Sequence, residues 1–165
     1  MTEVSRKFIL VYAIIISLLT GCATIKKQVM QDDNLKIRVK NLYSAIAKND
    51  YKTWYEIESP NAMRDNMTLE AWKKYMGLDN SEKQLTNPLN IVEGQLEQVC
   101  SCTPMKYMNG MNTLMCSLLV NLVTEESEGH PKSYRVLAEW ELFNGEWYHH
   151  FTDSAEVEYC PKDYY

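Results

Sequence analysis

The chain has 165 residues, of which 45% are hydrophobic, 11% aromatic and 24% charged. That composition excludes a disordered or fibrous chain, and the length suits one domain with a real core. Seventeen Lys and Arg against 22 Asp and Glu leave a net charge of −5; without a basic block to neutralise phosphates, nucleic-acid binding is excluded as an expectation.

At the amino terminus, Arg6 and Lys7 precede an apolar run of twelve residues, Phe8 to Leu19. Crossing about 30 Å of hydrocarbon at about 1.5 Å per residue needs roughly 20. Twelve is the length of a secretory signal. The run ends in Leu19-Thr20-Gly21-Cys22, which resembles the lipobox of bacterial lipoproteins. The resemblance implies that residues 1–21 are removed, that the Cys22 thiol is lipidated and that the new amino terminus is acylated. Several acyl chains hold a bilayer far better than one, each buried CH₂ contributing about 0.8 kcal/mol. Ala23, standing where an aspartate would retain the protein in the inner membrane, is similar to the outer-membrane sorting class of enterobacterial lipoproteins. The expected location is therefore the outer membrane, facing the periplasm. Residues 22–33 are polar and lack a clean period, which reads as a lipidated tether. Residues 34–165 then form a single α+β domain.

The period of the apolar residues predicts two helices before four strands. Asp33 or Asn34 caps the first helix, whose Leu35, Val39, Leu42, Tyr43 and Ile46 form one stripe. Asn49-Asp50 interrupts it, and Tyr51, Trp54, Tyr55 and Ile57 continue an apolar face until Ser59-Pro60. Thr68 caps the second, with Leu69, Trp72 and Met76 inward and Gly77 past its end. From Ile91 the period becomes two. Val92, Leu96, Cys100 and Cys102 share one face of the first strand. Leu114, Cys116, Leu118, Val120 and Leu122 do so in the second, which is apolar on its other face too and therefore central. Tyr134, Val136, Ala138, Trp140 and Leu142 line the third. Asn144-Gly145 is a type I′ hairpin signal, because that turn needs φ > 0 at both central residues. Helices followed by strands imply α+β with an antiparallel sheet.

Leu42 to Tyr55 (LYSAIAKNDYKTWY), where a helix meets an Asn-Asp-Tyr step, and Asn144 to Tyr148 (NGEWY) resemble the opening and the final hairpin of nuclear-transport-factor-2-like (cystatin-like) domains. The resemblance implies two amino-terminal helices packed on a curved four-stranded antiparallel sheet, often around a conical pocket. That superfamily contains enzymes, ligand binders and assembly factors, so it selects no function.

Apart from Cys22, the cysteines are Cys100, Cys102, Cys116 and Cys160, an even number with three possible connectivities. Export favours disulfides over a metal site, and Cys-x-Cys within a strand is not a usual zinc spacing. A three-residue loop, Met108-Asn109-Gly110 with Gly110 in αL, pairs Tyr107 with Met111 and sets Cys102 opposite Cys116. Cys100 is left for Cys160, which staples the carboxy-terminal tail to the sheet.

Few residues suggest chemistry. The Asn144-Gly145 register pairs Trp140 with His149 and Glu139 with His150, so Trp140, Trp147, His149 and Phe151 share one sheet face as the candidate pocket. A histidine among aromatics is more often a hydrogen-bonded core residue than a ligand or base. His130 reads as solvated, Glu139–His150 as a surface pair, and Met105, Met108, Met111 and Met115 as packing. No phosphate loop, His-Glu-x-x-His or Gly-x-Ser-x-Gly element is present. The expectation is a non-catalytic binding or scaffolding lipoprotein, with a membrane, a small apolar ligand or an envelope protein as partner. No cofactor, metal or catalytic residue is implied. Two alternatives stand beside it: a pocket enzyme of the ketosteroid-isomerase type and a subunit of an envelope secretion assembly. Against the enzyme, no acidic residue is placed on the apolar face.

Overall fold

The computed structural model describes residues 24–58, 67–76, 78, 90–107, 110–125, 131–150 and 156–161. Cys22, Met108, His130 and Phe151 lie outside them. Helical backbone runs over residues 24–31 (α1), then Asp33–Lys48 (α2), Tyr51–Ile57 (α3) and Leu69–Tyr75 (α4). Strands follow at Ile91–Lys106 (β1), Asn112–Glu125 (β2), Pro131–Phe143 (β3) and Glu146–His150 (β4). They form one antiparallel sheet in the order β1-β2-β3-β4.

The class is α+β, but the expected pair of amino-terminal helices is wrong: the described residues contain four short ones. Residues 24–31, read as a tether, are helical. Val29 is buried there, with Ile25 and Met30 against the same core. Three apolar residues in eight give little local period, so contact with the core decides this segment. The second addition comes from a break. Asn49 adopts the left-handed conformation (φ 54°) and closes α2 with its N–H on Ala45 and Ile46 carbonyls. Asp50 then starts α3 by accepting from the Thr53 N–H. What reads as one interrupted face is two helices.

The cap of α2 also lies earlier than expected. Asp32 Oδ1 accepts from the backbone N–H groups of Asn34 (2.9 Å) and Leu35 (3.3 Å). Asp33 in the first turn and Lys48 in the last complement the helix dipole. Leu35, Val39, Leu42 and Tyr43 are buried as the predicted stripe and pack on β1.

In the sheet, β2 is central as its two apolar faces require. Leu118, Val120 and Leu122 join Val136, Ala138 and Trp140 in the main core beneath the helices. The face assignment of β1 needs correction. Register shifts fall at Ile91/Glu93, Leu96/Gln98 and Val99/Ser101. Each inserts an unpaired residue and reverses the parity that follows. Val92 is consequently 53% exposed. Cys100 is the extra residue between Val99↔Leu118 and Ser101↔Ser117, and it packs with Leu119 and Leu137 on the opposite face from Cys102.

Candidate functional site

The β3–β4 turn has φ of 51° at Asn144 and 85° at Gly145, the left-handed pair that its sequence demands. The register follows: Trp140 faces His149, and Leu142 faces Trp147. Trp140, Trp147 and His149 are therefore brought together on the inner face, all buried. The Trp140 and His149 rings lie 5.4 Å apart.

Against this face sits a residue that the sequence did not mark, Glu58. It follows the last turn of α3 and makes an isolated parallel bridge to His149. Its Oε1 accepts from the Trp54 indole N–H at 2.7 Å and lies 3.2 Å from His149 Nδ1. A carboxylate accepts, so the tautomer bearing hydrogen on Nδ1 fits this contact. Trp54 in turn meets Trp72 edge-on, with ring centroids 5.3 Å apart. Glu58 is only 2% exposed, and among the described residues its Oε2 has no hydrogen-bond partner, nor do the indole nitrogens of Trp72 and Trp140. The chemical content is a buried carboxylate–imidazole pair between Trp54 and Trp140. The one signal for Glu58 was its spacing, four residues after Trp54 on the same helical face.

Trp147 is tied elsewhere. Its indole N–H donates to Asp32 Oδ2 at 2.8 Å, so one carboxylate caps α2 and satisfies a buried ring on β4.

The outer face carries a second polar group. Glu139 and His150 are register partners, as expected, but they do not form the predicted pair. His150 Nε2 reaches diagonally to Glu141 Oε2 at 3.0 Å, while Glu139 accepts from the Ser117 hydroxyl. Glu141 has no exposed surface, and its other oxygen accepts from the Tyr107 hydroxyl at 2.7 Å. Full burial of one carboxylate explains the diagonal choice, because a buried acceptor must be satisfied first.

Both expected disulfides are present, Cys102–Cys116 and Cys100–Cys160. The first follows from the Tyr107–Met111 turn, in which the Tyr107 N–H donates to the Met111 carbonyl and Gly110 has φ of 85°. Among the described residues no three His, Cys, Asp or Glu side chains gather as a metal site.

No protein-family model matches the chain, and no curated protein matches it. It is similar to a solved structure from Xanthomonas campestris described as a calcium/calmodulin dependent protein kinase II association domain. The likeness covers 72% of this chain and 82% of that one, at 11% identity and a TM-score of 0.41. Similarity at that level carries no argument about what this chain does.

Proposed function

We propose that the protein is a cell-envelope lipoprotein, anchored by lipid on Cys22, whose α+β domain is a non-catalytic binding or scaffolding module. The observation that carries this reading is Leu19-Thr20-Gly21-Cys22 directly after a cationic start and an apolar run of signal-peptide length. Two disulfides support an oxidising compartment. Among the described residues no helix is long and apolar enough to cross a membrane. Ala23 supports the outer membrane over the inner one. The net charge of −5 argues against a nucleic-acid partner.

The test is metabolic labelling with a fatty-acid analogue in cells expressing wild type or Cys22→Ser. Label is expected on wild type alone. Equal label on both sinks the reading.

A pocket enzyme gains one observation, the carboxylate that the sequence did not place on this face. Its expected signature is exchange of the α-protons of an enolisable ketone with solvent deuterium, lost in Glu58→Gln without loss of stability. We rank it second because Trp54 and His149 occupy Glu58 Oε1 and the carboxylate is sealed from solvent.

A further inference from the structure

The two disulfides have opposite surroundings. Cys102 and Cys116 face each other within the β1–β2 ladder, both buried in the main core. Cys100 is buried on the outer face, but its partner Cys160 is only partly buried and belongs to residues 156–161, which have neither helix nor ladder. Among the described residues, the Val157 N–H donates to the Arg135 carbonyl at 2.8 Å, and the Glu158 carbonyl accepts from Arg135 Nη1 at 3.4 Å. Val157 packs beside Leu119 and Leu137. Between sheet and segment lies a cleft of about 600 Å³, lined by Asn121, Ser133 and Arg135 below and by Glu156, Val157 and Glu158 above.

We propose that residues 156–161 are a redox-released strap. Reduction of Cys100–Cys160 by a dithiol reductant, ahead of Cys102–Cys116, frees the segment, removes one wall of the cleft and uncovers Leu119 and Leu137. Access sets the order, because thiol–disulfide exchange needs a thiolate in line with a sulfur. A thiolate of the dithiol attacks Cys160 Sγ and forms a mixed disulfide. Cys100 Sγ leaves with the bonding pair and takes up a proton. The second thiol of the reductant then closes on the mixed disulfide and expels Cys160, which is protonated in turn. The dithiol loses two electrons and two protons and becomes a disulfide; the cystine becomes two thiols. Afterwards Cys100 remains as a small apolar side chain on the sheet. Arg135 also stays in place, because Glu97 on β1 holds its Nε at 2.7 Å. The lower half of the cleft therefore survives and only the strap leaves. This inference is independent of the lipid anchor.

The test treats the folded, oxidised protein with graded dithiothreitol, alkylates the thiols and maps them by mass spectrometry. In parallel, a glutamate-specific protease probes Glu156 and Glu158. Cys100 and Cys160 are expected to be labelled roughly tenfold faster than Cys102 and Cys116, because only that pair includes a cysteine that is not fully buried. Cleavage within the strap should rise about tenfold at that stage while near-ultraviolet circular dichroism is kept, as for local opening. Cys160→Ser should be cut at the fast rate without reductant and gain nothing from adding it. Simultaneous reduction of both bonds, unchanged cleavage, or loss of the folded spectrum on selective reduction or in Cys160→Ser would each overturn the proposal.

Discussion

Among the described residues, Glu58 Oε1 receives two contacts, from Trp54 and His149, while Oε2 receives none. That asymmetry changes what a substitution of His149 does. In a packed core without Glu58, His149→Phe would exchange a polar ring for an apolar one at little cost. With Glu58 beneath it, the change leaves a buried carboxylate supported by one indole, and such under-satisfaction costs about 1–3 kcal/mol. His149→Phe is expected to destabilise by about 2 kcal/mol in urea denaturation, and Glu58→Leu/His149→Phe by less than the sum of the single changes. A neutral His149→Phe, or strict additivity, would show that the pair is not coupled. Asp32 makes a second double contact, since it caps α2 and accepts from Trp147. Asp32→Ala should therefore cost more than the roughly 1 kcal/mol of an ordinary cap, by the 1–3 kcal/mol of an orphaned buried indole. Combining it with Trp147→Phe removes that second part, which a double-mutant cycle reads directly. Asp32→Asn should keep only one of the two contacts, because an amide has a single acceptor oxygen and its NH₂ cannot accept from the helix N–H groups or the indole N–H.

Helix α3 begins at an exposed cap whose charge state matters. The Thr53 hydroxyl at 2.7 Å, then the Thr53 backbone N–H, hold the Asp50 carboxyl below its ordinary 3.8. A depressed pKa means that the stabilisation is present above the unfolded value and lost as pH falls through the lower folded one. The stability difference between wild type and Asp50→Asn should be flat at neutral pH and shrink only as pH falls through that acid window. A difference that varies above about pH 5 would contradict this assignment. Packing of α2 on β1 depends on a missing side chain. A Cβ at Gly94 would overlap the ring of Tyr43 and approach its Cβ at 2.8 Å, and Tyr43 is fully buried. Gly94→Ala should cost about 1–3 kcal/mol or more through this overpacking, measured as a fall in the denaturant midpoint with an unchanged slope. A tolerated alanine there would mean that α2 can slide on the sheet. The same strand manages its exposed edge with three register shifts and Pro104, a pattern that discourages pairing with another chain.

At the scale of the whole molecule, the sheet separates two environments. Helices α1 to α3 contribute to the main core on the inner face, together with Trp140 and Trp147. On the outer face, Cys100, Leu119 and Leu137 are covered by Val157 and Cys160 instead. The disulfides differ accordingly. Cys102–Cys116 links residues 14 apart inside a ladder that already opposes them. Its removal as Cys102→Ala/Cys116→Val should cost about 3 kcal/mol by the chain-entropy model, seen as a loss of unfolding free energy in denaturant. A negligible loss would mean that the unfolded hairpin already keeps the two positions together.

Local chemistry alone determined the β1–β2 and β3–β4 turns, and through them much of the register. Asn144-Gly145 accepts φ > 0 at both positions, which puts Trp140 opposite His149; the Tyr107–Met111 loop puts Cys102 opposite Cys116. The stripe of α2 was legible for a similar reason, because its period is a property of consecutive residues. The fate of residues 24–31 was not, since their helix depends on a core built by distant strands. Nor was the face of Cys100 or Val92 legible, because each bulge reverses the alternation and these ones carry no glycine at the unpaired position. Glu58 shows the limit most plainly. Its spacing from Trp54 offers a hydrogen bond but does not call for burial of the carboxylate, and its partner His149 is 91 residues away. Burial of charge is decided by what the fold brings opposite, a nonlocal quantity that no sequence window contains.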